Sequence, residues 1–106
     1  MPLPPSLTPE QRAAALEKAA QARRARAEIK ERLKIGRVSL AELVKEAETN
    51  EIIGKMKVLS VLESLPGIGK VKARRLMEEI GVADSRRIQG LGALQRKRLI
   101  EETQKH

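Results

Sequence analysis

Phenylalanine, tyrosine and tryptophan are absent from all 106 residues, and so is cysteine. A core for this chain has to be assembled from Leu, Ile, Val, Met and Ala, with no disulfide to hold it. Alternating β-branched runs that would mark strands are missing, so the pattern predicts an all-α fold. The same absences narrow the chemistry. Single-strand binders and sheet-based RNA modules stack bases on aromatic rings, and no such platform exists here. Thiol catalysis and thiolate metal sites are also removed.

Charge points to a polyanion. Lys and Arg number 22 against 14 Asp and Glu, giving a formal charge of +8. The load is uneven: residues 1–35 carry eight bases and four acids, 36–64 four and five, and 65–106 ten and five. That balance fits nucleic acid first and an anionic membrane surface second. Without aromatic platforms, a duplex held by its backbone is the expected target. No apolar run approaches a membrane span. The start, MPLPPSLTPEQ, has neither the basic end nor the apolar stretch of a signal peptide, so a cytoplasmic location is expected.

The most specific stretch is LPGIGKVKARRLM, Leu65 to Met77. Pro66 fixes its own φ and, followed by Gly67, favours a tight turn with a left-handed residue. Gly69 lacks a Cβ, so a polyanion can approach the main chain closely. A helix starting near Lys70 then presents unpaired N–H groups and the positive end of its dipole. Together these features make an anion cradle from backbone alone. Lys70, Lys72 and Arg74 surround it with charge, while Ile68 and Val71 are expected to point inward.

A second copy follows 23 residues later, with Ile88 to Glu102 aligned on Leu65 to Glu79. Both glycines, one arginine, one leucine and the Glu-Glu pair coincide. This copy lacks the proline and has Ala93 where the first has Lys70, so its turn is the weaker anion site. Arg86 and Arg87 lie just upstream, in a loop bounded by Gly81 and Gly90.

Two segments are expected, residues 1–36 and 37–106. Residues 1–7, rich in proline, read as an extended tail. Thr8, Pro9 and Gln11 form a capping box that opens a long helix running to about Ile35 and closed by Gly36. Its apolar stripe, Ala15, Ala19, Ala22, Ala25, Ile29 and Leu33, is mostly alanine and buries little area. Arg23, Arg26, Lys30 and Lys34 share a neighbouring face and make a second candidate DNA surface. Ser39 and Glu42 open a short helix through about Ala47. Asn50 caps the next, read as continuous to Leu65 with Gly54 as its weak point. Helices from Lys70 to Ile80 and from Ala93 to Thr103 complete a compact bundle.

These residues resemble one family throughout. LTPEQRAAALEKAAQARRARAEIKERLK, GKMKVLSVLESLPGIGKVKA and RRIQGLGALQRKRLIEE are similar to the actinobacterial integration host factors, small nucleoid-associated proteins. The resemblance implies a helix-two-turn-helix motif behind a long N-terminal helix. It implies a protein that binds duplex DNA with little sequence preference, bends and compacts it, and supports phage integration. Phage integrase and topoisomerase become partners met on DNA, and the protein acts in the nucleoid as a monomer without a cofactor. The family's contact motif falls on Ser64, Leu65, Pro66, Gly67, Ile68, Gly69, Lys70 and Val71, with Lys72 and Arg74 beside it. A second contact region, the lid, falls on roughly Val82 to Leu94 and includes Arg86, Arg87, Gln89 and Gly90. Some relatives carry a third basic residue where this chain has Gln89, which weakens contact there.

Three other readings are weaker. DNA glycosylases share the motif and use an N-terminal proline amine as nucleophile. Here Leu3 stands where their carboxylate follows Pro2, zinc ligands are missing, and the only histidine is His106. Ribosomal RNA binding with a similar hairpin usually brings a long basic tail, whereas this chain stops at ETQKH. The alanine face of the long helix is too weakly apolar for a membrane surface.

Overall fold

The computed structural model describes residues 7–105 and is all-helical. The expected tail through residue 6, the Pro2 amine and His106 lie outside them. The helices are α1 (Pro9–Lys34), α2 (Leu40–Ala47), α3 (Glu51–Gly54), α4 (Val58–Ser64), α5 (Lys70–Ile80) and α6 (Ala93–Gln104), with a single 3₁₀ turn at Ile88–Gly90.

Local chemistry sets the boundaries. Thr8 Oγ1 accepts from the Gln11 N–H while Gln11 Oε1 accepts from the Thr8 N–H, closing the capping box of α1. Ser39 and Glu42 do the same for α2. The Ser39 N–H and then its hydroxyl hold the Glu42 carboxyl below the usual carboxylate range. A depressed carboxylate stabilises the fold above its ordinary pKa, and that support is lost as pH falls. Asn50 Oδ1 accepts from the N–H groups of Ile52 and Ile53 at the start of α3. Gly36 and Gly81, at φ 76° and 81°, close α1 and α5 in the left-handed region.

One expected helix is broken. The run from Asn50 to Leu65 is not continuous: α3 stops at Gly54 and α4 begins at Val58. The reason lies in a distant segment. Residues 56–58 pair with residues 86–88 through an isolated antiparallel bridge, Lys57 to Arg87. The Val58 N–H donates to the Arg86 carbonyl and the Ile88 N–H to the Met56 carbonyl, both at 2.9 Å. Extended backbone at Lys57 (ψ 136°) satisfies those bonds at the expense of helical continuity. Gly54 weakens the helix at the same point and is itself buried.

The core is wholly aliphatic. Leu33, Leu43, Ile53, Leu62, Met77 and Leu99 are fully buried, together with Val58 and Val61. Among the described residues no charged or polar side chain is buried with them. Helix α1 lies against α3 and α4, α4 against α5, and α5 against α6. Only the C-terminal part of α1 takes part. Ile29 and Leu33 are buried and Ala22 and Ala25 half-buried, whereas Leu16 is 64% exposed. The Arg32 guanidinium also forks onto the Glu46 carboxylate of α2, at 3.3 and 3.1 Å. Helix α1 is therefore docked at its end and projects at its start, which the alanine stripe could not decide.

Leu33 is the main apolar anchor of α1. Leu33→Ala is expected to cost about 2–5 kcal/mol in urea unfolding, from lost burial and the cavity left behind. Leu16→Ala, on the projecting part, should change stability by no more than about 0.5 kcal/mol. Equal effects of the two would place the α1 docking elsewhere.

Candidate nucleic-acid interface

The 23-residue repeat is real in the backbone. The Ile68 N–H donates to the Leu65 carbonyl at 3.2 Å, and the Leu91 N–H donates to the Ile88 carbonyl at 3.2 Å. Gly69 and Gly92 are the N-cap residues of α5 and α6. Ile68 and Leu91 are buried beneath the two turns, and Leu76 and Leu99 beneath the helices that follow. One sequence pattern has built two glycine turns, each feeding a helix.

The two turns differ where an anion would bind. Gly67 has φ 78°, as the Pro66-Gly67 turn requires, while Gly90 continues a 3₁₀ turn without a positive φ. The start of α6 is sealed from within, because Gln95 Oε1 accepts from the Gly92 N–H at 3.0 Å. The repeat places Lys72 at the matching position of α5. A lysine only donates and cannot close the Gly69 N–H in that way. No side chain caps α5. Nothing lies within 4 Å of the position a Cβ would take on Gly67 or Gly69. The first turn is thus a donor nest that no side chain caps, whereas the second has its N-cap N–H satisfied from within.

Around the nest, Pro66, Gly67, Gly69 and Lys70 are exposed, while Leu65 and Ile68 are buried and contribute backbone only. Val71 corrects an expectation. Instead of pointing inward it is 73% exposed, because the buried face of α5 runs through Ala73, Leu76 and Met77. Leu94, its repeat partner on α6, is 70% exposed. Ser64 Oγ donates to the Ser60 carbonyl at 2.9 Å, one turn back along α4. Arg74 leans away from the turn to pair with Asp84 at 3.3 Å, which ties α5 to the loop that follows it.

The lid is held by backbone and by its own arginines. Besides the bridge bonds, Arg87 Nη1 donates to the Lys55 carbonyl at 3.1 Å, and Arg86 Nη1 donates to the Gly90 carbonyl at 2.8 Å. Arg86 is half-buried and Arg87 exposed. Gln89 lies over α3, its Oε1 3.2 Å from where a Cβ on Gly54 would stand. The glycine that weakens α3 is what lets the lid lie flat on it.

Two basic surfaces were expected, one on α1 and one around the hairpin and lid. The structure brings them together. A cleft of about 720 Å³ runs between α1 and the α3–lid region, with Arg26 and Lys30 on one side and Lys57 and Arg87 on the other. A smaller cleft continues past Lys34 to Ser64 and Lys70 at the nest, and Lys30 and Ser60 border both. The nest and the lid therefore lie toward opposite ends of α4, a helix about 10 Å long at 1.5 Å per residue, with the basic face of α1 alongside. Arg23 lies one turn before Ala27 on that face and borders neither cleft. Lys18, Lys55 and Lys57 went unnoticed in the sequence, although the bridge opposite Arg87 is what singles Lys57 out.

Known proteins resemble this chain over most of its length. Residues 33–103 match the S13-like H2TH domain family. The integration host factor of Streptomyces coelicolor is 62% identical over 95 residues, 90% of this chain and 88% of that protein. That of Mycobacterium tuberculosis is 59% identical over 98 residues, covering 92% and 93%. The chain belongs to the actinobacterial integration host factor family. A solved structure of sIHF bound to an 8-bp palindromic DNA superposes with a TM-score of 0.79 at 54% identity, covering 82% of this chain and 98% of that one. The matched residues run from the end of α1 through nearly all of α6, and so include the α4–α5 hairpin and the lid.

The two hairpin glycines should behave differently. Gly67→Ala forces a Cβ into the left-handed region and is expected to cost about 1–2 kcal/mol of stability. Gly69, at φ −91°, accepts alanine with a loss below about 1 kcal/mol. Thermal melts of both variants check this, and equal losses would contradict the turn geometry.

Proposed function

We propose that this protein is a nucleoid-associated, non-enzymatic protein that holds duplex DNA by its phosphate backbone, with the open nest at Gly67–Lys70 as its primary anchor. The observation that carries this is the asymmetry of the repeat: one glycine turn is closed by Gln95, and the other is left open amid Lys70 and Lys72. The family relationship, and the DNA bound to the related solved structure, support the same reading.

Main-chain N–H groups at Gly69 and the first turn of α5 take phosphate oxygens, assisted by the helix dipole. Lys70 and Lys72 release counterions from the same strand, and Arg74 adds to this where it exchanges Asp84 for a phosphate. Pro66 and exposed Val71 pack on the sugar edge. Arg86 and Arg87, with Gln89 and Gly90 shaping the lid, grip the duplex at the far end of α4 and reach toward the minor groove. That favours deformable DNA over a fixed sequence and bends it. Arg23, Arg26, Lys30 and Lys34 extend the charged track along α1. Bending and compaction by a monomer in the cytoplasmic nucleoid, in support of phage integrase and of topoisomerase action on DNA, is the role this architecture serves.

Arg86→Glu combined with Arg87→Glu should weaken binding to unrelated duplex sequences alike, with log K against log salt losing slope. Fluorescence anisotropy over a salt series reads this, with an RNA duplex of matched sequence as the second ligand. Unchanged DNA affinity would remove the lid from the site, and preference for the RNA would overturn the DNA reading. Replacing Arg23, Arg26 and Lys30 together by alanine should reduce compaction of long DNA in single-molecule extension. Undiminished compaction would take α1 out of the track.

A further inference from the structure

We infer that Lys57 joins Arg87 of the lid in a clip for a single backbone phosphate. Their placement is dictated by the isolated antiparallel bridge between them. The two flanking backbone bonds, Val58 to Arg86 and Ile88 to Met56, put this pair in the non-hydrogen-bonded register. In that register side chains stand on one side of the ribbon with Cα atoms roughly 4.5 Å apart. Like charges set directly opposite each other destabilise a ribbon. The free protein therefore carries an arrangement that an anion would relieve.

Nothing resident in the cleft relieves it. Its lining holds six cations, Lys18, Arg26, Lys30, Lys55, Lys57 and Arg87, and one carboxylate, Glu51. That carboxylate is engaged by Lys55 at 2.9 Å, which holds it below the usual range. The Lys55 carbonyl meanwhile fixes the Arg87 guanidinium through one nitrogen and leaves the rest of its donor fork for a ligand. Lys57 and Arg87 are both exposed.

The occupant is a phosphodiester of the duplex already held at the nest. The clip's cleft adjoins the one leading to Ser64 and Lys70, through Lys30 and Ser60. A backbone seated at the nest is thus within reach of the clip at the other end of α4. This inference rests on the duplex-DNA reading above.

The full chain and its Lys57→Gln, Lys57→Arg and Lys70→Gln variants can be titrated with one duplex at salt concentrations from about 50 to 200 mM. Lys57→Gln should make log K against log salt shallower by about 0.9, the loss of one phosphate contact. Lys57→Arg should restore the slope, and Lys70→Gln should lose a similar amount at the nest. The free Lys57→Gln protein should melt no lower than the parent, because a repulsion has been removed. An unchanged slope for Lys57→Gln beside a reduced one for Lys70→Gln would overturn the clip and leave the DNA reading standing. Unchanged slopes for both would overturn the reading itself. A lower melting temperature with an unchanged slope would make Lys57 a structural residue and end the proposal.

Discussion

The pairing of residues 56–58 with 86–88 is the contact on which the working surface depends. Two backbone hydrogen bonds and one bridge do three things at once. They interrupt what would otherwise be one helix, so that α4 starts afresh at Val58 and leads into the hairpin. They fix the lid, which has only a single 3₁₀ turn of its own, against α3. They also set Arg87 opposite Lys57. Each bond contributes about 1 kcal/mol net at most, so the arrangement survives only because aliphatic packing surrounds it. Ile53, Met56, Val58 and Ile88, all buried, supply that packing from both sides of the bridge.

The core is built from aliphatic side chains alone. Without aromatic rings, each buried side chain removes less apolar surface from water, on the order of 1.5–3 kcal/mol apiece. The chain compensates by enclosing many such side chains from six short and long helices around one centre. Charge is then kept outside it. Arg32 and Glu46 pair at the surface, and the other ion pairs are likewise exposed and individually weak. Most of the Lys and Arg thus lie at the surface, although Arg74, Arg86 and Arg87 also make contacts within the fold.

What the sequence disclosed follows from the range of each signal. Capping boxes at Thr8 and Ser39, the Asn50 cap and the closing glycines act within four residues, so helix starts and stops were legible. The nest was legible for the same reason, because Pro66, Gly67 and Gly69 specify their turn locally. The break between α3 and α4 was not, since Lys57 is extended only because residues 86–88 pair with it from far along the chain. Val71 was misjudged because the first turn of α5 extends beyond the core contacts that fix its later turns. The docking of α1 depended on Leu33 fitting a pocket that no stripe of alanines reveals.

The repeat carries the wider point about how such a surface is made. Two copies of one turn share hydrogen bonds, N-cap glycines and buried leucines at matching places, so their folding instructions are common. Their chemistry diverges at the turn itself, Pro66 against Gln89 and Lys70 against Ala93, and just beyond it at Lys72 against Gln95. An acceptor there turns inward and satisfies the Gly92 N–H, so that turn serves as structure. A donor-only side chain at the same place cannot do so, and the Gly69 end of α5 faces solvent without an internal acceptor from it. The same side-chain exchange replaces a neutral group by a cation, so donor geometry and electrostatic attraction change together and in the same sense. Together with the turn residues, that exchange leaves the Gly69 end of α5 without a side-chain cap and the Gly92 end of α6 bonded to its own Gln95.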